Sequence, residues 1–333
     1  MKEINRVANT LRNAVILILL LFTACEDAPD DLLDPDLAGV WTLINTSSGI
    51  PSNQIVDIER DAENNLWVAF SGNGVGKYRN GKWTYYRTDN SSILSDAVTS
   101  LAATAEGGMM VGTTNGVTTI SSSGTWSSYK DPAVSVMSIN AIDETSDGTI
   151  WLGTEAEGIY VDDGTGYTQV NLTPYKNVNA ITGDIYGNVF LGTDNGLLKY
   201  TMSGTQLITT AGGLPDNDVT ALYIDSKERL WIGTNGGKTV ACMDNSMNIN
   251  QISLMNGDDG TFVEAIYEDR RGHIWFATLN DGLIEYDGVV PHSYKEYNGF
   301  YEDNVTSISD DEYGNLWIGL LNKGLVRFTL PIE

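Results

Sequence analysis

The chain repeats one short apolar pattern seven times at a nearly constant spacing. In each copy a large residue lies inside a strand-like segment: Trp67, Met110, Trp151, Phe190, Trp231, Trp275 and Trp317, which are 39 to 44 residues apart. A fixed period in this range, with short strands in every copy, is typical of a β-propeller. We therefore predict an all-β fold, a seven-bladed β-propeller with four-stranded blades.

Each copy has the same order of segments. An inner strand of the form apolar-x-small-apolar comes first, as in residues 219–222, and only the first copy has a charged residue, Asp57, at the small position. A tight turn, the strand with the large residue, a polar turn ending in glycine and two further strands follow. The residue two places after the large one is always Gly or Ala. Since alternate residues share one face of a strand, this pair gives the next sheet a protrusion and a hollow to pack on.

The two ends of the repeat region complement each other. After Phe328 only five residues remain, so the seventh copy has no fourth strand of its own, whereas residues 39–44 resemble the fourth strand at residues 83–86. We expect this N-terminal strand to close the seventh blade and to remove an exposed sheet edge. The predicted propeller domain covers residues 38–333.

The best-formed copies, at residues 219–237 and 305–325, resemble the repeats of the two-component regulator propeller family. The pattern Val-x-x-Ile-x-x-Asp-x-x-Gly-x-Leu-Trp-Ile-Gly carries the resemblance, with Val305, Ile308, Asp311, Gly314 and Trp317 at its main positions. It covers residues 50–330. It implies a seven-bladed propeller and, in that family, often the periplasmic sensor part of a hybrid histidine kinase. With no kinase segment after the repeats, we expect this chain not to transfer phosphate itself.

The first 37 residues predict export and anchoring. Lys2, Arg6 and Arg12 precede a nine-residue apolar run at 14–22, which is too short to span a bilayer and suits a signal peptide at residues 1–24. Small residues directly before Cys25 resemble a lipobox, so we expect Cys25 to be lipidated; an ordinary cleaved signal is the alternative. Residues 25–37 are acidic and read as a tether. The expected location is the bacterial envelope, at the outer membrane on its periplasmic or surface face.

The net charge limits the classes of molecule that the chain can bind. A formal charge of −25 repels nucleic acid and anionic headgroups, so we expect no nucleic-acid partner. The second cysteine, Cys242, follows Val240 and Ala241 in a strand-like run and reads as a small buried hydrophobe.

The sequence offers little catalytic chemistry. The two histidines, His273 and His292, fall in a turn and a strand of the sixth copy on the lower face of the ring, and no zinc spacing or Gly-x-Ser-x-Gly motif occurs. Acidic clusters at 216–218 and 258–260 leave calcium open, but neither has the spacing of an EF-hand loop. We therefore predict no catalytic residues, no metal site and no cofactor, with calcium as the alternative.

The loops that lead into the inner strands converge at one mouth of the channel. They form a ring of amides and carboxylates with aromatic side chains beside it, and we predict ligand binding there by Asn53, Asp96, Asn177, Asp218 and Asn304, with Tyr175 and Tyr301 as stacking platforms. The alternative for any single residue is that its side chain caps the turn backbone.

These features predict a lipid-anchored envelope propeller that acts as a ligand-binding or sensor module for a glycan or a peptide. A non-enzymatic scaffold that joins envelope proteins is the nearest alternative, and a propeller lyase comes third. Such lyases need a His/Glu constellation at the mouth, and none of the mouth positions is His.

Overall fold

Seven four-stranded antiparallel sheets surround a central channel. The computed structural model describes residues 39–128, 137–172, 174–236, 239–254 and 262–330, all within one compact unit, Asp36–Glu333. Each inner strand contacts the inner strand of the next sheet, and the last contacts the first. The predicted seven-bladed propeller is therefore confirmed.

The strands occupy four positions from the channel outward. The inner strands are β2 (Ile55–Arg60), β6 (Val98–Ala103), β10 (Ile139–Glu144), β14 (Val178–Gly183), β18 (Val219–Ile224), β22 (Phe262–Glu268) and β26 (Val305–Asp310). The second strands are β3 (Leu66–Phe70), β7 (Met109–Thr113), β11 (Ile150–Thr154), β15 (Val189–Thr193), β19 (Leu230–Thr234), β23 (Ile274–Leu279) and β27 (Leu316–Leu320). The third strands are β4 (Val75–Arg79), β8 (Gly116–Ile120), β12 (Ile159–Asp162), β16 (Gly196–Thr201), β20 (Thr239–Met243), β24 (Leu283–Tyr286) and β28 (Leu325–Thr329).

The outer strands complete the blades. They are β5 (Lys82–Tyr86), β9 (Trp126–Ser128), β13 (Tyr167–Val170), β17 (Gly204–Ile208), β21 (Ile249–Ser253), β25 (Pro291–Tyr294) and, in the seventh blade, β1 (Val40–Ile44). Short 3-10 turns at Thr46–Ser48, Thr210–Gly212 and Glu296–Asn298 follow three of the outer strands. Among the described residues, no helix is long and apolar enough to cross a membrane.

The ring closes through the N-terminal strand, as predicted. β1 pairs antiparallel with β28, from Val40 opposite Thr329 to Ile44 opposite Leu325. The Trp41 ring stacks on Phe328 at 3.9 Å and also lies 5.3 Å from Tyr294 of the sixth blade. The clasp therefore joins the seventh blade to its neighbour as well as completing it.

The hydrophobic core lies between blades, because each second strand is buried on both faces. Trp67, Trp231, Trp275 and Trp317 are all at most 1% exposed. The small residue two places on receives the next inner strand: a Cβ on Gly233 would lie 2.6 Å from Val263. Any larger residue there would separate two blades.

An aspartate in the turn before the second strand holds the Trp ring from below. Its carboxylate accepts a hydrogen bond from the indole Nε1 six residues later, at 2.8 to 3.0 Å, in the pairs Asp61–Trp67, Asp225–Trp231, Asp269–Trp275 and Asp311–Trp317. Its other oxygen accepts backbone N–H groups of the same turn, as Asp225 does from Lys227 and Arg229. The recurrent Asp of the repeat is thus a structural residue that satisfies a buried donor.

Candidate functional site

The upper face of the ring holds the loops that enter the inner strands, called entry loops here, and the loops between second and third strands. Backbone hydrogen bonds tie five pairs of these loops across blades. The glycine that ends the second loop donates to the next entry loop at 2.9 to 3.0 Å: Gly74 to Asp96, Gly116 to Met137, Gly158 to Lys176, Gly282 to Asp303 and Gly324 to Asn53. The last of these joins the seventh blade to the first. Between these five pairs of blades, the backbone itself holds the upper mouth together.

The glycine at this position is required by geometry. Gly324 has φ +104°, and a Cβ there would lie 2.4 Å from the carbonyl oxygen of Ile44. A side chain would displace the clasp strand or break the cross-blade bond.

Two of the predicted binding residues cap the turn backbone. Asn53 Oδ1 accepts from the Thr46 amide and Asp96 Oδ1 from the Thr88 amide, both at 2.8 Å. Asn217 and Asp303 occupy the same repeat position and accept in the same way from the Thr210 and Glu296 amides. Side chains at this repeat position therefore cap the turn backbone, which was the alternative to ligand binding. Each of them is only part-buried at the mouth.

The other three predicted polar residues lie one position later and differ in their partners. Asp218 accepts from Asn235 Nδ2 at 2.8 Å and from Asn179 Nδ2 of the preceding blade at 3.3 Å. Asn304 accepts from the Asn280 amide at 3.1 Å. Asn177 Oδ1 is buried and has no hydrogen-bond donor among the described residues. The residue at this position varies between blades, with Asn in two of them, Asp in the fifth and Ala97 in the second.

Both predicted aromatic residues are part-buried against blade cores. Tyr175 packs on the cluster that contains Trp151 and Val178, and Tyr301 on the cluster that contains Phe300. The Tyr301 hydroxyl donates to the Trp41 carbonyl at 3.4 Å. Packing against the blade cores thus holds both tyrosine rings in place, while each ring keeps an exposed part.

The channel below the mouth holds polar groups that the sequence prediction did not assign. It encloses about 880 Å³ and is lined by all seven inner strands. Every inner strand has a bulge near its start, after the first residue in six strands and after Val263, the second residue, in β22. Side chains at the bulge can bond the next blade, as Thr220 Oγ1 does by donating to the Val263 carbonyl at 2.6 Å. The channel wall is therefore bonded blade to blade along its length.

Three channel carboxylates have strongly perturbed acidity. Burial raises the pKa of Asp57 to about 6, against the hydrogen bonds it accepts from the Leu101 and Ile58 amides. Burial, followed by the neighbouring charge of Asp57, raises the pKa of Glu59 to about 8. Burial also raises the pKa of Asp143 to about 6, although it accepts from the Gly183 amide. The one available signal in the sequence was Asp57 at a position that is small elsewhere.

The channel also carries aromatic hydroxyls, and an ion pair lies beside Glu59. The Tyr223 and Tyr267 rings lie 5.9 Å apart, and burial raises the pKa of Tyr223 to about 12. Arg60 Nε lies 2.7 Å from Asp310 Oδ1. The channel thus offers donors and acceptors but no described nucleophile–base pair.

The two histidines lie on the lower face, in the turn and the strand that the sequence predicted. His273 Nδ1 is 2.7 Å from Glu285 Oε1, and Asp269, His273 and Glu285 bring ligand-type atoms within 4.8 Å of one another. The Arg271 guanidinium already lies 2.6 Å from both carboxylates. Because Arg271 neutralises both carboxylates, this arrangement is an ion-pair cluster. A metal ion at this position would have to displace the arginine.

Three predicted features lie outside the described residues. They are the signal peptide at 1–24, the tether at 25–37 with Cys25, and the acidic cluster at 258–260. Cys242 is described: it lies in β20, it is buried as predicted, and burial raises the pKa of its thiol.

The family resemblance is borne out by comparison with known proteins. The sequence profile of the two component regulator propeller family matches residues 49–72, 134–156, 213–236 and 256–280. These segments all fall on the same part of the repeat, from an entry loop to the end of a second strand. The chain is a seven-bladed propeller, and four of its seven repeats match the two component regulator propeller model. No curated protein matches it in sequence.

Solved structures share the fold at low identity. The extracellular domain of a putative hybrid two component system of B. thetaiotaomicron has a TM-score of 0.72 and 18% identity, covering 87% of this chain and 42% of that one. Virginiamycin B lyase from Staphylococcus aureus has 0.71 and 16%, covering 88% and 99%. PorZ, a surface component of the type-IX secretion system of Porphyromonas gingivalis, has 0.64 and 16%, covering 84% and 47%.

These likenesses concern architecture. The chain spans less than half of the sensor ectodomain and of PorZ, but nearly all of the lyase. A histidine-to-alanine variant of that lyase is catalytically inactive.

Proposed function

We propose that this protein is a recognition or sensor module of a bacterial envelope that binds a glycan or a peptide at its upper mouth. The observation that carries the proposal is the construction of the mouth. The described entry loops surround the mouth, backbone hydrogen bonds join five pairs of blades there, and the side chain before the inner strand varies between blades. A rigid ring with variable side chains is suited to selective binding, because little order is lost when a ligand docks.

The available groups suggest the class of ligand. Asn177 has a buried side-chain oxygen that lacks a described donor. The Asp218 carboxylate is oriented by the side-chain amides of Asn235 and Asn179, and the Asn304 side-chain oxygen accepts from the Asn280 amide. Hydroxyl and amide donors of a sugar or a peptide complement these acceptors, and the edges of Tyr175 and Tyr301 offer apolar contact. Asn53 and Asp96 would act mainly by holding the loops in shape.

We also propose that Cys25 carries the lipid anchor. The motif before it and the acidic segment at 26–36 support this, and together they would place the propeller at the outer membrane on a tether. The likeness to extracellular sensor ectodomains is compatible with that location.

Two other functions have some support. A scaffold role is favoured by the likeness to PorZ, a surface component of a secretion system. A lyase role is favoured by the likeness to virginiamycin B lyase, but both histidines of this chain lie on the lower face of the sixth blade, away from the mouth. Recognition without chemistry therefore fits the side chains best.

A glycan and peptide array tests the proposal, with the wild-type chain compared with Asp218→Ala and Tyr301→Ala. Loss of one buried ligand hydrogen bond should weaken binding by about 1–3 kcal/mol with little change in stability. His273→Ala on the lower face serves as the control for position. Normal binding by both mouth variants, together with loss in the His273 variant, would place the functional surface on the opposite face.

A further inference from the structure

A groove on the lower face, between the fourth and fifth blades, has features that the rest of the ring lacks. It encloses about 310 Å³ and is lined by Tyr186, Phe190, Lys199, Glu228 and Met247, among others. A hollow of about 500 Å³ adjoins it on the channel side and shares Asp184, Ile224 and Glu228 with it. We call this surface the blade 4–5 groove. It lies at the end of the ring opposite to the upper mouth.

Two residues of this groove have a backbone conformation that side chains disfavour. Glu228 has φ 60° and Met247 has φ 65°. The six turns equivalent to that of Glu228 place asparagine or glycine at this position: Asn64, Gly107, Gly148, Gly187, Gly272 and Gly314. Within the described part of the chain, every other non-glycine residue with positive φ is asparagine. Both exceptions line one groove, and such strain is typical of ligand-binding positions.

The Glu228 side chain supplies a second, independent observation. Its Oε2 atom is buried and has no hydrogen-bond donor among the described residues. Burying a carboxylate oxygen without a donor is unfavourable, so a donor from outside the chain would stabilise it. The same residue therefore combines the disfavoured backbone conformation with a buried carboxylate oxygen that lines the groove.

The neighbouring charges favour a cationic donor. Asp184 and Asp244 each accept two backbone amides of their own turns, which leaves Glu228 as the carboxylate with unused acceptor capacity. The Lys199 ammonium lies in the same groove, 5.6 Å from the Phe190 ring and 3.8 Å from Met247 Sδ, and no described ion pair or hydrogen bond joins it to Glu228. A guanidinium or ammonium group would donate a hydrogen bond to Glu228 Oε2 and would be attracted by the net negative charge of the chain.

The rim of the groove is apolar. Ile185 and Tyr186 are 65% and 67% exposed in the turn that borders it. Adjacent exposed apolar side chains in a short turn suit contact with another protein.

We propose that the blade 4–5 groove binds a segment of a partner protein that carries an arginine or lysine next to an apolar side chain. The basic side chain bonds Glu228, and its neighbour packs on Ile185 and Tyr186. This site is separate from the upper mouth, so a protein could hold a ligand at one end of the ring and a partner at the other.

Fluorescence anisotropy with labelled peptides tests this on the purified full chain. The probes are Leu-Arg-Leu and its Leu-citrulline-Leu counterpart, each capped at both ends, because citrulline keeps the shape of arginine without its charge. We expect the arginine peptide to bind at least about tenfold more tightly, and Glu228→Gln to remove that preference. Glu106→Gln removes one exposed charge from the equivalent turn of the second blade and should leave binding unchanged.

A second variant separates a binding role from a structural one. Glu228→Gly relieves the disfavoured backbone, so it should raise the melting temperature while it removes arginine-peptide binding. Equal affinity for the two peptides, or wild-type binding by Glu228→Gln, would overturn the proposal. So would equal losses in the Glu228 and Glu106 variants, which would indicate nonspecific charge attraction. Asp218→Ala at the mouth should bind the arginine peptide normally, so failure here is distinguishable from failure at the mouth.

Discussion

The clasp strand gives a quantitative test of ring closure through one residue, Trp41. Its half-buried ring contacts Phe328 at 3.9 Å, Tyr294 at 5.3 Å and Phe300 at 5.6 Å. Replacing a well-packed Trp with Ala costs about 3–5 kcal/mol, and the lower end applies because the ring keeps some exposure. For Trp41→Ala we therefore expect a loss of about 3 kcal/mol, which lowers the melting temperature by about 6–12 °C.

Differential scanning calorimetry measures this, with Trp126→Ala as the matched control. Trp126 lies at the equivalent strand position of the second blade and stacks edge-on with Tyr86 at 5.2 Å, but it does not join the chain ends. Deleting residues 37–46 should go further and cause aggregation, because it exposes the β28 edge. A deletion protein with an unchanged melting temperature would refute the closure reasoning.

Three further predictions concern the channel, the Asp–Trp bond and the anchor. Because burial raises the pKa of Asp57 and Asp143 to about 6 and that of Glu59 to about 8, the folded chain binds more protons than the unfolded one between about pH 4 and pH 8. The free energy of unfolding should therefore fall as pH rises through that window, and Glu59→Gln should flatten the fall between about pH 6 and pH 8 in urea titrations; an unchanged slope would contradict the assignment. Asp225→Ala leaves the Trp231 indole and two backbone amides without their acceptor. It should lower the free energy of unfolding by about 1–2 kcal/mol more than Asp184→Ala, because the blade of Asp184 has Phe190 in place of Trp. Equal losses of stability in denaturant unfolding would count against the Asp–Trp bond. Labelling with a fatty-acid probe should depend on Cys25, and equal labelling of Cys25→Ser would exclude lipidation there.

The fold could be predicted from the sequence because propeller packing repeats. A large residue followed two places later by Gly or Ala is a local pattern, and Gly233 against Val263 shows the contact that it encodes. The closing strand was predictable for a similar reason, since a blade must have four strands and the missing one resembled residues 83–86.

The role of each mouth residue was harder to predict because it depends on a one-residue offset and on the neighbouring blade. Asn53 and Asn177 are the same residue type in equivalent entry loops. Asn53 lies two residues before its inner strand and caps a turn, whereas Asn177 lies one residue before its inner strand and lacks a described donor. Both inner strands have the same bulge, so the difference depends on the groups that each side chain meets. Binding at the mouth remains a prediction for this reason.

The blade 4–5 groove illustrates a signal that the sequence held but that needed the structure to interpret. Aligning the turns places Glu228 where other copies have Gly or Asn. The alignment alone does not reveal that the carboxylate oxygen is buried, because that depends on how the fourth and fifth blades meet.

Recognition at the upper mouth can be tested by a hydrogen-exchange footprint with the tightest ligand from the glycan and peptide array. We expect slower amide exchange in the entry loops at residues 50–54, 214–218 and 300–304, which cluster around the mouth, and unchanged exchange in the lower turns at 61–65 and 311–315. Protection confined to the lower turns, with the entry loops unaffected, would contradict it.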